Sequence, residues 1–115
     1  MPYQSVFCPD LFAGQTIIVT GGGSGIGRCI AHELSALGAK VVLTGRSREQ
    51  LEAVSAEIVE DGGSVDVEDF DIRAEDVVAE KVAAILERNG PIAGLVNNAG
   101  GQFVSLLEDM SQKGW

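Results

Sequence analysis

Short runs of aliphatic and β-branched residues alternate along the chain with stretches whose apolar residues recur every three or four positions. The short runs predict strands at residues 15–20, 40–44, 64–70 and 92–97. The stretches between them predict three amphipathic helices, because a spacing of three and four places apolar side chains on one face. Their apolar stripes are Ile26, Ile30, Leu34 and Leu37 in the first, Leu51, Val54 and Ile58 in the second, and Ala74, Val78, Val82 and Ile85 in the third.

Turn-forming residues mark the ends of the predicted helices. Gly38 is a suitable C-terminal cap for the first helix. Ser47 and Gln50 form a capping box for the second helix, which the Gly62-Gly63 pair ends. Pro91 closes the third helical region before the last strand.

Strand and helix thus alternate as βαβαβαβ, which is typical of an α/β fold with a parallel sheet, right-handed crossovers and helices on both faces. This is one half of a doubly wound sheet, because a complete nucleotide-binding domain of this class has further strands. We therefore expect residues 1–115 to be part of one domain. Residues 1–14 would be an N-terminal extension, and the rest of the domain would belong to a longer protein.

The 115 residues carry a formal net charge of −9, which argues against a nucleic acid or an anionic membrane as partner. No apolar run approaches the length of a bilayer span and the N-terminus lacks the features of a signal peptide, so we expect a cytoplasmic protein. Cys8 and Cys29 lack the spacing of a disulfide scaffold or a metal site, and we expect two unpaired thiols and no metal. The acidic stretch from Glu49 to Glu80 is interpreted as the solvent-facing sides of two helices.

A glycine-rich segment, TGGGSGIG at residues 20–27, lies between the first predicted strand and the first predicted helix. Glycines here permit a close approach of backbone to phosphate, and the helix N-terminus offers free N–H groups. A Walker loop is disfavoured, because Arg28 and Cys29 stand where it needs Lys and Ser or Thr. The strict G-x-G-x-x-G fingerprint fails as well, because Ile26 or Arg28 occupies its last position. A glycine turn without a ligand is the remaining alternative.

The pattern T-G-x-x-x-G-x-G fits this segment without exception, and a second motif, Asn97-Asn98-Ala99-Gly100, follows the fourth predicted strand. With these two motifs the chain resembles the short-chain dehydrogenase/reductase family. The resemblance implies a Rossmann-type doubly wound fold in which Asn97 helps to hold the sheet. It also implies that a dinucleotide lies along Thr20, Gly21, Ser24, Gly25, Ile26, Gly27, Asn98, Ala99 and Gly100.

The residues after the second and third predicted strands indicate which dinucleotide binds. Gly45 stands where an NAD-preferring site has a carboxylate for the ribose hydroxyls. Arg46 follows, and a guanidinium there can bind the 2′-phosphate of NADP through charge-assisted hydrogen bonds. We therefore predict NADP as the cofactor; the alternative for Arg46 is a solvent-facing loop residue. The resemblance implies that Asp71 binds the adenine amino group and that Ile72 covers the ring, whereas the residues alone suggest Asp71 as a helix cap.

The second motif is followed by Gly101, Gln102 and Phe103. With these residues the chain resembles more narrowly the branch of fatty enoyl-CoA reductases, including 2,4-dienoyl-CoA reductases. That branch implies reduction of the double bond of an enoyl-CoA by NADPH, and homo-oligomers. It places Phe103 beside the acyl group and Arg73 at the coenzyme A portion of the substrate. The alternatives are a core aromatic for Phe103 and a water-facing helix residue for Arg73.

The family's Tyr-x-x-x-Lys pair is absent from these residues, since Tyr3 is the one tyrosine and Phe7 follows it four positions later. No catalytic residue can therefore be named, and we expect the 115 residues alone to be inactive. Two other functions stay open: a carbonyl or 3-ketoacyl reductase of the same family, and a catalytically incomplete dinucleotide-binding module.

Overall fold

The structure is a computed structural model that describes residues 3–100, 106–109 and 111. The role expected for Phe103 lies outside these residues. Four strands and three helices alternate along the chain: β1 (Thr16–Thr20), α1 (Gly25–Ala36), β2 (Lys40–Gly45), α2 (Arg48–Glu60), β3 (Ser64–Asp69), α3 (Glu75–Asn89) and β4 (Gly94–Val96). A short 3-10 turn at Leu107–Asp109 follows. Within the described ranges no helix is both long enough and apolar enough to cross a bilayer.

The strands form one parallel sheet in the order β3-β2-β1-β4. From β1 the chain adds two strands on one side, and then returns past β1 to place β4 on the other. This order is the first half of a doubly wound sheet, whose full order is 3-2-1-4-5-6. The predicted Rossmann-type α/β fold is therefore confirmed.

The two central strands bury side chains on both faces of the sheet, which explains why they read as continuous apolar runs. One face packs against α1 and α2, and its core consists of Ile17, Val19, Ala31, Ala39, Val41, Leu43, Leu51, Val54 and Ile58. The opposite face packs against α3 through a smaller core of Ile18, Val42 and Ile85. Helices therefore cover both faces, as the pattern predicts.

The predicted helix ends are also confirmed. Gly38 follows α1 with a φ of +94°, and its N–H donates to the carbonyl oxygen of Ser35 at 3.0 Å. The Ser47 hydroxyl accepts a 3.3 Å hydrogen bond from the backbone N–H of Gln50 at the start of α2. Gly62, just beyond the end of α2, has a φ of +87°, a conformation that a residue with a side chain rarely adopts.

Two residues of the predicted apolar stripes do not belong to a buried helix face. Ile26 is 73% exposed, because it lies in the first turn of α1 next to the glycine-rich segment. Ala74 is the residue before α3 rather than part of the helix. The strand predicted at residues 92–97 is also shorter, and its central Leu95 is 56% exposed because β4 is the last strand of the sheet that the described residues form.

Asp66 and Glu68 show that the interpretation of the acidic stretch was wrong in part, because these residues lie in β3. In the strand register Asp66 is opposite Val42, so both carboxylates face α3. Lys81 Nζ donates to Glu68 at 2.8 Å, and Arg88 Nη2 donates to Asp66 at 3.0 Å and to Glu68 at 2.7 Å. The alternating pattern of β3 thus gives one apolar face toward α2 and one charged, paired face toward α3.

The N-terminal extension lies along the C-terminal part of α1. The backbone N–H of Phe12 donates to the carbonyl oxygen of Leu37 at 2.9 Å, and the Phe12 side chain packs against the larger core. The hydroxyl of Tyr3 donates to the carboxylate of Glu33. The tyrosine therefore lies near the C-terminal half of α1, away from the glycine-rich segment at its N-terminus.

Candidate cofactor site

Both sequence motifs lie at the carboxyl edge of the sheet, in the crevice between the ends of β1 and β4. The glycine-rich segment, residues 20–27, follows β1, and residues 97–100 follow the neighbouring β4. The order in which strands are added to the sheet reverses between these two parallel strands. In open α/β sheets the crevice at such a reversal is where ligands bind, so the topology alone makes this edge the candidate site.

Thr20 joins the two motifs through its hydroxyl group. Thr20 Oγ1 accepts hydrogen bonds from the backbone N–H groups of Asn98 and Ala99, each at 2.9 Å, and donates to the carbonyl oxygen of Val96 at 3.2 Å. Asn98 Nδ2 in turn donates to the carbonyl oxygens of Thr20 at 3.1 Å and Gly21 at 3.3 Å. These bonds hold the two loops at one fixed separation.

The side-chain contacts of Asn97 and Asn98 differ from those that the resemblance implies. The side-chain amide that ties the end of β1 belongs to Asn98, whereas the exposed Asn97 side chain makes no hydrogen bond with the described part of the chain. The holding role expected for Asn97 therefore falls on Asn98. Ala99 is half-buried beside it, and a Cβ on the exposed Gly100 would meet no atom within 4 Å.

Gly27 and Gly21 are required by close packing between the two motifs. A Cβ on Gly27 would overlap the carbonyl oxygen of Gly21 and would lie 2.5 Å from Asn98 Nδ2. Gly21 has a φ of +66°, and a Cβ there would lie 2.9 Å from the same nitrogen. A side chain at either position would push the glycine-rich segment away from residues 97–100.

Gly25 differs from these glycines because it borders open space. Its φ is +53°, and a Cβ there would meet no atom within 4 Å. Ser24, the N-cap of α1, makes no side-chain cap hydrogen bond, and the first turn of α1 contains no acidic residue. The positive end of the helix dipole is therefore uncompensated at an open surface, which is the environment that binds a phosphate.

The edge continues past the end of β2 to Arg46. Arg46 is exposed and makes no hydrogen bond or ion pair with residues 3–100, 106–109 or 111. It follows Gly45, so no carboxylate occupies the position where a ribose-binding acid would stand. A free guanidinium at this point can bind an anionic group.

Asp71 and Arg73 form a close ion pair just after β3. Arg73 Nη2 donates to Asp71 Oδ2 at 2.8 Å, Nε donates to both oxygens at 3.1 and 3.2 Å, and the Arg73 backbone N–H donates to Oδ1 at 2.9 Å. These bonds, with a smaller effect of the Arg46 charge, lower the pKa of Asp71 from 3.8 to about 2. The alternative that Asp71 caps α3 is wrong, because Ala74 precedes the helix and no side-chain cap bond forms.

Two large aliphatic side chains are exposed along the same edge. Ile26 is 73% exposed and Ile72 is 48% exposed. Ligand sites combine such apolar surface with a few placed polar groups. Together with the open helix terminus and the free guanidinium, the residues present fit a dinucleotide that carries a 2′-phosphate.

Comparison with known proteins agrees with this fit. A family model described as short chain dehydrogenase matches residues 15–115. Gluconate 5-dehydrogenase of Gluconobacter oxydans is 41% identical over 109 residues, which are 93% of this chain and 43% of that protein. A probable 2,4-dienoyl-CoA reductase of Bacillus subtilis is 33% identical over 101 residues, which are 88% of this chain and 40% of that protein.

Solved structures give the same grouping. A citronellol catabolism dehydrogenase of Pseudomonas aeruginosa PAO1 is 62% identical with a TM-score of 0.86, covering 97% of this chain and 46% of that one. A metagenomic short-chain oxidoreductase in complex with NADP is 42% identical with a TM-score of 0.79, covering 88% of this chain and 46% of that one. The chain therefore spans less than half the length of these relatives.

Proposed function

The chain belongs to the short-chain dehydrogenase family, and from that membership we propose that it is the NADP-binding part of a larger oxidoreductase. The observation that carries the proposal is the uncompensated N-terminus of α1, which faces the open space beside Gly25. A bound nicotinamide cofactor supplies hydride transfer. The chain's own residues bind the cofactor and orient it at the carboxyl edge of the sheet.

Each part of the dinucleotide has a group of residues suited to it. In this proposal the N–H groups at the start of α1 bind the pyrophosphate, and Arg46 binds the 2′-phosphate. Asp71 accepts a hydrogen bond from the adenine amino group, and Ile72 covers the ring. The inner ribose and the nicotinamide lie along the segment that Thr20 fixes, formed by Asn98, Ala99 and Gly100.

Titration of the complete protein with NADPH and with NADH, followed by fluorescence, tests the cofactor proposal. Arg46 and the absence of an acid at Gly45 favour NADPH, and two solved relatives were determined with NADP or NADPH. We expect the dissociation constant of NADPH to be the smaller. Tighter binding of NADH would contradict the NADP assignment, and no binding of either would contradict the proposed function.

The finer proposal for the reaction is reduction of the double bond of an enoyl-CoA. It is supported by the 2,4-dienoyl-CoA reductases among the relatives and by the resemblance at Gly101, Gln102 and Phe103. An assay of trans-2-enoyl-CoA with NADPH tests it through the loss of NADPH absorbance. Turnover of the thioester at a rate above that with simple ketones is the expected result.

Carbonyl and alcohol chemistry is the second candidate, and it has a specific observation in its favour. The relatives that are 62% and 41% identical are called dehydrogenases of citronellol catabolism and of gluconate. Arg73, expected at the coenzyme A portion, is also engaged with Asp71. Oxidation of alcohols with NADP⁺, without activity on enoyl-CoA, would select this candidate; binding without any turnover would select a non-catalytic module.

The remaining properties of the complete protein are proposals that rest on the family resemblance. The residues that transfer protons would lie outside this chain, because Tyr3 binds Glu33 far from the site, and the 115 residues alone would be inactive. The complete protein would be a cytoplasmic homo-oligomer that acts on small molecules. Light scattering after size exclusion measures its oligomeric state.

A further inference from the structure

Three arginines lie along the part of the site formed by residues 45–48 and 69–73, which we call the outer edge. Arg46 follows the last residue of β2, Arg48 begins α2, and Arg73 follows β3. Within the described residues, Arg46 has no ion pair, whereas Arg48 is bound to Glu52 and Asp69, and Arg73 is bound to Asp71. The outer edge therefore combines one free guanidinium with two that are already bound to carboxylates.

The two neutralised carboxylates are neighbours of Arg46. Asp69 is opposite Gly45 in the register of β2 and β3, and Arg48 Nη1 donates to it at 2.9 Å. Asp71 lies two residues further on, where the charge of Arg46 reaches it, and Arg73 binds both of its oxygens. Both carboxylates are ionised at neutral pH, and the hydrogen bonds from their own arginines lower their pKa values further below the ordinary value of 3.8.

These pairs decide the sign of the charge that the outer edge presents. Without Arg48 and Arg73, two carboxylates would face the single guanidinium of Arg46, in a chain whose net charge is −9. A phosphomonoester is close to a dianion at neutral pH, and nearby carboxylates repel it. With these ion pairs formed, Asp69 and Asp71 each have an arginine bound to them, and within the described residues Arg46 keeps a guanidinium without an ion pair.

We infer that Arg48 and Arg73 are specificity-determining residues, which neutralise Asp69 and Asp71 so that Arg46 can attract the 2′-phosphate of the dinucleotide. The inference rests on the proposed NADP-binding function. It assigns to Arg73 a role in cofactor selection rather than the role at the coenzyme A portion of the substrate. Because NADH has a hydroxyl in place of the 2′-phosphate, the two arginines matter for NADPH and little for NADH.

The test compares dissociation constants of NADPH and NADH in variants of the complete protein. Arg48→Gln removes the partner of the Asp69 and Glu52 carboxylates, and Arg73→Gln removes the partner of the Asp71 carboxylate. We expect each variant to weaken NADPH binding by about two- to fivefold at low salt, the range of surface ion pairs, with NADH binding unchanged. Added salt should reduce the difference, because it screens exposed charges.

Two further variants separate local charge from other effects. Arg48→Gln combined with Asp69→Asn returns the local charge to that of the wild type, and we expect it to recover most of the NADPH affinity. Lys40→Gln removes one positive charge at the opposite end of β2, roughly 16 Å away at the usual strand rise. It should leave the ratio of the two dissociation constants unchanged.

The inference is overturned if Arg48→Gln and Arg73→Gln leave this ratio at the wild-type value, or if they weaken NADPH and NADH binding equally. It is also overturned if Lys40→Gln changes the ratio of the NADPH and NADH dissociation constants as much as Arg48→Gln and Arg73→Gln do. If the wild-type protein binds NADPH and the variants give one of these results, the inference is wrong and the proposed function still holds. If the wild-type protein binds neither dinucleotide, the proposed function itself is wrong.

Discussion

Replacing Thr20 with valine tests whether one hydroxyl group holds the two motifs of the candidate site together. Valine has the same shape, but it cannot accept the 2.9 Å hydrogen bonds from Asn98 and Ala99 or donate to Val96. An unsatisfied buried N–H costs about 1–3 kcal/mol. Thr20→Val leaves two such N–H groups without their partner, so we expect the free energy of unfolding to fall by about 2–4 kcal/mol. The upper limit is below twice the single cost because this half-buried position has partial access to water.

The same substitution is expected to weaken dinucleotide binding without changing selectivity. In the proposed function the segment that Thr20 anchors binds the nicotinamide side of the dinucleotide, where NADPH and NADH are identical, so both dissociation constants should rise by similar factors. Urea denaturation measures the free energy of unfolding, and fluorescence titration measures both affinities. Thr20→Ser keeps the hydroxyl and is the matched control, with an expected loss below about 1 kcal/mol. A Thr20→Val protein with wild-type stability and affinity would refute the role of the hydroxyl.

Three other substitutions test separate parts of the site. Arg46→Ala should raise the dissociation constant of NADPH and barely change that of NADH; equal losses would contradict the 2′-phosphate assignment. Gly25→Val, at a φ of +53° beside open space, should abolish binding of both dinucleotides with an unchanged circular dichroism spectrum, and surviving binding would show that the phosphate site lies elsewhere. Arg73→Gln should move the pKa of Asp71 from about 2 back toward 3.8, as measured by a carboxyl NMR titration. Because the folded pKa is the lower one, the pair stabilises the fold above pH 3.8, and this contribution disappears as the pH falls through about 2.

The apolar pattern predicts the fold well where strands are buried on both sides. β1 and β2 are flanked by strands and covered by helices, so their central residues are aliphatic and buried, while threonine, lysine and glycine stand toward the strand ends. β4 has the same kind of apolar run, and its Leu95 is 56% exposed because the sheet formed by the described residues ends at β4. In the full order 3-2-1-4-5-6 a further strand pairs with β4, so the apolar run is the one that a central strand of the complete domain requires.

The glycine-rich segment shows what spacing can predict about a site. Gly21, Gly25 and Gly27 all match one motif, and the structure gives them different physical roles: close packing for Gly21 and Gly27, open space for Gly25. The bonds from Thr20 to Asn98 connect residues 78 positions apart. No local pattern predicts them, because they depend on β4 being the neighbour of β1.

The outer edge shows the same limit in its electrostatics. Arg46 lies between β2 and α2, and Arg48, two positions later, begins α2; the sequence favours Arg46 as the ligand-binding guanidinium and Arg48 as a solvent-facing one, but it does not reveal the partners of Arg48. The strand register separates them, since it places Asp69 beside Gly45, within reach of Arg48. A shift of the β2–β3 register by one residue would reverse the direction of every β3 side chain and would remove this partner. If Arg46 binds the 2′-phosphate as proposed, cofactor selectivity at this edge would depend on strand pairing as well as on the presence of Arg46.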